Sequence, residues 1–185
     1  MIPRPLVAGR AMPDQATLAD IRMLLLDVDG VLTDGRIWFD AAGTECKSFH
    51  VHDAAGMFYW HRSGGLSGFL SGRGGDVVER RARDLKITDV MLWRLDKKEA
   101  FAEMLDRQGL EPRQVAYMGD DLLDLPVLRA AGFAATVPEA RAELAEAVHF
   151  VTSRSAGFGA ARDVIEVLLQ ARGAWADVLR HEGRP

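Results

Sequence analysis

Short, uninterrupted apolar runs recur along the chain, each ending in polar or acidic residues. Met23-Leu24-Leu25-Leu26 runs directly into Asp27, and further runs fall at 66–70, 90–93, 115–118, 133–137 and 148–151. Apolar runs of this length without polar alternation suit strands covered on both faces. The stretches between them, near 54–62, 76–85, 97–108, 122–131, 139–145 and 160–171, read as helices. Strands alternating with helices predict an α/β fold with a parallel sheet and helices on both faces. Such sheets place their sites beyond the carboxyl ends of the strands.

One segment breaks the rhythm. Residues 35–50 carry Ile37-Trp38-Phe39, the turn sequence Asp40-Ala41-Ala42-Gly43, and a second extended run reaching Val51. This predicts a short β-hairpin inserted after the first strand, too small to form a separate cap domain. Continued as a strand, it would put His50 and His52 on one side, as solvated or substrate-facing imidazoles. Residues 1–20, with Pro3, Pro5 and Pro13, read as an N-terminal arm with one helical turn near 14–20. The main domain spans 21–172, and 173–185 form a C-terminal extension, helical over 174–180.

Composition adds a few bounds. A chain of 185 residues, 48% apolar and 27% charged, fits one globular domain with a sizeable core. The net charge of −4 gives no sign of a nucleic-acid partner, so an anionic substrate would need local cations. Cys46 is the single cysteine, which excludes an internal disulfide and suits a reducing compartment. No run approaches the ~20 apolar residues of a membrane span, and the cytoplasm is the expected location.

The chemistry-bearing residues cluster after the apolar runs. Asp27-Val28-Asp29-Gly30-Val31-Leu32-Thr33 follows the first. Two carboxylates so close to a buried strand end call for a shared proton or cation, and Mg²⁺ prefers hard oxygen ligands. Gly119-Asp120-Asp121-Leu122-Leu123-Asp124 follows the run at 115–118. There Asp120 is placed to complete a metal site, while Asp121 and Asp124 orient a ligand or lysine, or cap the next helix. Ser71-Gly72-Arg73 offers a hydroxyl and backbone N–H groups for a phosphate oxygen, and Lys97 opens the next helix after Asp96.

Asp-x-Asp, Ser, Lys and Gly-Asp-Asp, each just beyond a successive strand, resemble in order the four motifs of the haloacid dehalogenase superfamily. The resemblance covers about 21–172. It implies a three-layer, Rossmann-like core and Mg²⁺-dependent hydrolysis of phosphomonoesters. Asp27 would be the nucleophile, forming an aspartyl phosphate, and Asp29 the general acid and base. Ser71, Gly72, Arg73 and Thr33 would contact substrate, and Lys97 would offset the nucleophile's charge. Mg²⁺ would be held by Asp27, the backbone carbonyl of Asp29, and Asp120.

The hairpin in place of a cap, together with Asp27-Val-Asp-Gly-Val-Leu-Thr-Asp-Gly35 and Gly119-Asp-Asp-Leu-Leu-Asp-Leu-Pro126, is similar to the capless 3-deoxy-D-manno-octulosonate 8-phosphate phosphatases. Phosphatases of nine-carbon acylneuraminate 9-phosphates are relatives. This implies a sugar-acid phosphate substrate, a role in lipopolysaccharide biosynthesis, and a homotetramer whose hairpins meet, with no nucleic-acid or membrane partner. His52-Asp53-Ala54, Leu92-Trp93 and Ala156-Gly157-Phe158-Gly159 depart from that family's pattern, twice where it commonly has arginine. Those departures predict weakened selectivity for the eight-carbon acid with the phosphate chemistry intact. The alternatives are a phosphatase of another small ester, a phospho-receiver domain, or a non-catalytic binding protein. In a receiver, the phosphorylated aspartate lies on a later strand than the acidic pair.

Overall fold

The computed structural model describes residues 6–183. In chain order the elements are α1 (Gln15–Ala19), β1 (Met23–Leu26), β2 (Trp38–Phe39), β3 (Glu45–Cys46), α2 (Val51–Arg62), β4 (Leu66–Leu70), α3 (Asp76–Asp84) and β5 (Asp89–Met91). They continue with α4 (Lys97–Gln108), β6 (Val115–Met118), α5 (Leu125–Ala130), β7 (Phe133–Thr136), β8 (Phe150–Val151), α6 (Ala160–Ala171) and α7 (Trp175–His181). Six strands form a parallel sheet in the order β5-β4-β1-β6-β7-β8, and β2 pairs with β3 as a separate antiparallel hairpin.

β1 shows why the fold forms. All four of its residues are buried, and the pleat sends them alternately to opposite faces. Leu24 and Leu26 join the core under α2, α3 and α6, while Met23 and Leu25 join the core under α4 and α5. Helices therefore cover both faces. On α6 the buried positions Ala160, Ala161, Val164, Ile165, Leu168 and Leu169 recur at helical spacing and form one stripe facing the sheet and α2. α4 is bounded by its own sequence: Asp96 accepts from the Glu99 N–H at 3.0 Å, and Gly109 closes the helix in the left-handed conformation.

Several boundaries differ from the sequence expectation. α2 begins at Val51, so His50 and His52 do not share a strand face. The His50 ring instead caps the helix, with Nδ1 accepting from the His52 N–H at 3.2 Å. The 122–131 helix is two pieces, a 3₁₀ turn Leu122–Asp124 and then α5, because Asp124 turns inward and Pro126 lacks the N–H to continue one ladder. The 139–145 helix is a 3₁₀ segment, Ala142–Ala147. The 90–93 strand ends at Met91, with Trp93 at φ 62°.

The arm is also less loose than its prolines imply. Gly9 and Arg10 donate backbone N–H groups to Ala145 and Val148, at 2.8 and 3.0 Å. Pro3 and Pro5 lie outside the described residues. Among the described residues, no helix is long and apolar enough to cross a membrane.

Candidate active site

The chain leaves β1 toward β4 on one side and β6 on the other, so β1 is the switch point of the sheet. Leu26 is level with Phe69 of β4 and Met118 of β6. One step further, the backbone N–H of Asp27 still donates to the Met118 carbonyl at 2.9 Å. Residues following three strands therefore converge at one point, where ligands bind in open α/β sheets. Gly30, at φ +84°, turns the chain there, and a Cβ on it would collide with the Asp120 carboxylate.

Lys97 is the hub. Its ammonium donates to Asp27 Oδ2 at 2.6 Å and to Asp124 Oδ1 at 2.5 Å, and its side chain is enclosed. Burial disfavours the Lys97 charge, but Asp27 and Asp124 outweigh it and raise its pKa. Asp27 Oδ1 accepts from the Val28 N–H at 2.6 Å. Burial pushes the Asp27 carboxyl up to about 6, against the pull of Lys97 and with the push of Asp124.

Asp124 is satisfied on both oxygens. Oδ1 also accepts from the Tyr117 hydroxyl at 2.5 Å, and Oδ2 accepts from the Asp120 and Asp121 N–H groups at 2.9 and 3.0 Å. It is an anchor that holds Lys97 and shapes the Gly119–Asp124 turn.

Asp27, Asp120 and Asp124 each offer a carboxylate oxygen within 4.8 Å of the others, the spacing of a metal ligand set. Asp124 is occupied, but Asp120 Oδ1 is buried with no hydrogen-bond partner. Burial, then Asp27 and Asp124, push the Asp120 carboxyl up to about 8. A buried oxygen without a donor beside a second carboxylate is the environment that a hard divalent cation relieves. The residues present fit Mg²⁺.

Asp29 lies on the other side of the cleft. Its Oδ1 accepts from Lys47 at 2.6 Å and from the Thr33 hydroxyl at 3.4 Å, while Oδ2 has no hydrogen bond. Asp27, Asp29, Ser71, Gly72, Arg73, Lys97 and Asp120 line a single cavity of about 160 Å³, with Asp121, Leu123 and Asp124.

Thr33 does not line this cavity. Its hydroxyl turns into the loop, accepting from the Gly30 and Gly35 N–H groups at 3.4 and 3.2 Å. Its hydroxyl is engaged in closing the loop and in holding Asp29. Lys47, Glu45 and Tyr117 were not anticipated. Tyr117 was hidden inside an apolar run. The one signal for the other two was Glu45-x-Lys47, which extended backbone places on one side.

Such a fold with such a site defines a haloacid dehalogenase-like hydrolase, and residues 79–162 match the family model of that description. The chain is 38% identical over 159 residues to the 3-deoxy-D-manno-octulosonate 8-phosphate phosphatase of Haemophilus influenzae, covering 86% of this chain and 88% of that one. The cobalt-bound structure of the Haemophilus influenzae phosphatase superposes with a TM-score of 0.81 at 38% identity, covering 85% of this chain and 92% of that one. The Moraxella catarrhalis phosphatase, solved with magnesium, phosphate and KDO, superposes with a TM-score of 0.87 at 34% identity, covering 91% and 97%. The chain belongs to the 3-deoxy-D-manno-octulosonate 8-phosphate phosphatase family of the haloacid dehalogenase-like hydrolases.

Proposed function

We propose that the protein hydrolyses the phosphate ester of a 3-deoxy-2-ulosonic sugar acid, with 3-deoxy-D-manno-octulosonate 8-phosphate as the leading substrate. An oxygen of Asp27 attacks phosphorus in line while the bond from phosphorus to the sugar oxygen breaks. Asp29 gives its proton to that departing oxygen. Water then attacks the aspartyl phosphate, Asp29 takes the water's proton, and inorganic phosphate leaves with Asp27 restored. Lys97 neutralises the nucleophile throughout, and the Ser71 hydroxyl with the adjacent N–H groups binds phosphate oxygens. Asp27, Asp120 and the Asp29 carbonyl would hold Mg²⁺, which supplies the positive charge that lets a phosphate dianion approach these carboxylates.

The observation that carries this reading is the convergence of Asp27, Lys97 and Asp120 with Asp29 in one small cavity at the switch point. At about 160 Å³ it is well below the ~300–1,000 Å³ of pockets that enclose a whole small molecule. It takes the phosphoryl head and leaves the sugar acid outside. Arg73 on its rim pairs with Glu45 and Asp29, and the half of its side chain left exposed is a guanidinium suited to a substrate carboxylate.

A second copy gives the sugar cover. Ile37, Trp38 and Phe39 are 43%, 58% and 65% exposed on a hairpin beside the site, and a homotetramer would bury them. The exposed free thiol of Cys46 fits the reducing cytoplasm, and the product fits lipopolysaccharide biosynthesis.

The test is phosphate release from the octulosonate phosphate, an acylneuraminate 9-phosphate and neutral sugar phosphates, with Mg²⁺ and after chelation. Mg²⁺-dependent release, fastest on the octulosonate ester, is expected. Full turnover in demetallated protein, or preference for a neutral sugar phosphate, would reject the reading.

A further inference from the structure

Around Asp29 the hairpin supplies something that neither the phosphate chemistry nor the metal site uses. β3 and its extension place Glu45 and Lys47 on the same side, facing the loop after β1. The Lys47 side chain is enclosed, and its ammonium lies 2.6 Å from Asp29 Oδ1 and 2.8 Å from Glu45 Oε1. Glu45 Oε2 accepts from Arg73 at 2.9 Å, and Arg73 Nε stands 3.5 Å from Asp29 Oδ2. Two acids and two bases thus close a ring across hairpin, nucleophile loop and the loop after β4.

We propose that Lys47 is a positioning residue for proton transfer, pinning Asp29 by Oδ1 so that Oδ2 is presented to the leaving oxygen. This rests on the reading of Asp29 as the general acid. The asymmetry of the carboxylate carries it. Oδ1 has two donors, whereas Oδ2 is buried and has no hydrogen bond. A carboxylate that donates a proton needs one oxygen held and the other free of a competing hydrogen bond. Enclosing an ammonium is a poor way to stabilise a hairpin, because desolvation offsets much of the ion-pair attraction. Lys47 also makes the hairpin part of the proton-transfer machinery: its apolar arm faces outward while its returning arm sets the acid.

Leaving-group dependence tests this. The ratio kcat/KM reports only the first half-reaction, up to departure of the leaving group. A sugar or glycerol phosphate has a poor leaving group that requires a proton; p-nitrophenyl phosphate does not. Lys47→Met should lower kcat/KM on the alkyl ester by about 10²-fold, the loss typical of a misplaced reacting group. The aryl ester should change by less than ~3-fold, which also shows that the variant folds. Asp29→Asn should show the same selectivity, larger, within the roughly 10²–10⁴ range of general acid catalysis. Lys47→Arg should fall between wild type and Lys47→Met.

Equal losses on both esters, or none, in Lys47→Met would overturn the proposal while leaving Asp29 in its role if Asp29→Asn remains selective. An unselective Asp29→Asn would remove the reading of Asp29, and the role of Lys47 with it.

Discussion

Lys97 and Asp120 occupy opposite electrostatic situations within one cavity. Lys97 is buried and doubly paired, with Asp27 and Asp124 at hydrogen-bond distance. Removing one partner of a buried ion pair typically destabilises by roughly 3–5 kcal/mol, because the remaining charge is uncompensated. Lys97→Met should therefore lower the thermal midpoint as well as abolish turnover, and calorimetry beside a phosphate-release assay reads both. An unchanged midpoint would mean that the carboxylates are neutralised by other means.

Among the described residues, Asp120 forms no ion pair. Its pKa, about 8 in the fold against 3.8 ordinarily, means that the metal-free folded state holds a proton the unfolded chain has lost. Asp27 and Asp53, both near 6, act in the same sense, Asp53 through burial and against the pull of the Arg162 N–H. Folding takes up protons between about pH 4 and 8, so metal-free stability should fall as pH rises through that window. Mg²⁺ at Asp27 and Asp120 should remove the penalty, so its stabilising effect should grow with pH. Thermal melts at pH 5.5 and 8, with and without Mg²⁺, measure this. A Mg²⁺ effect independent of pH would contradict it.

At the scale of elements, what could be read from sequence follows from burial. β1, β4 and β6 are covered on both faces, so their apolar runs stood out, and β4, β6, α4 and α6 have the ends expected of them. The start of α2 was obscured because His50-Val51-His52 alternates polar and apolar like a strand, and only the His50 cap decides for helix. Asp27, Asp29, Ser71, Lys97 and Asp120 were legible because each follows an apolar run. The Lys47–Asp29 contact was not, since it depends on how the hairpin folds back over the loop.

The loop after β8 holds a further consequence of packing. Arg154, Ser155 and Phe158 share a depression with His50 and His52 at the N-terminus of α2. Phe158→Arg would add a guanidinium beside Arg154 and the two imidazoles. A charged hydrogen bond of that kind is worth about 1.5–3 kcal/mol, or roughly 10–100-fold. The expected outcome is a larger gain in kcat/KM for the octulosonate phosphate than for a neutral sugar phosphate. Equal changes on both would show that this depression does not meet the sugar acid.

For the whole molecule, the capless cavity and the exposed hairpin are complementary features. A site that encloses only the phosphoryl group needs surroundings that exclude water from the rest of the reaction. Trp38→Glu would place a charge in the apolar patch that the tetramer is proposed to bury. Light scattering should then show smaller species than the tetramer proposed for the wild type, with turnover of the sugar-acid phosphate falling alongside. A wild-type monomer at micromolar concentration with undiminished activity would contradict this account of the assembly.

The most direct measurement concerns Asp27 itself. Turnover of 3-deoxy-D-manno-octulosonate 8-phosphate in Mg²⁺ is quenched in acid within the first cycle, and the peptides are mapped by mass spectrometry. A phosphoryl adduct is expected on Asp27 and absent from Asp27→Asn, which should also lose nearly all turnover. An adduct on any other residue of the active enzyme, or substantial turnover by Asp27→Asn, would contradict it.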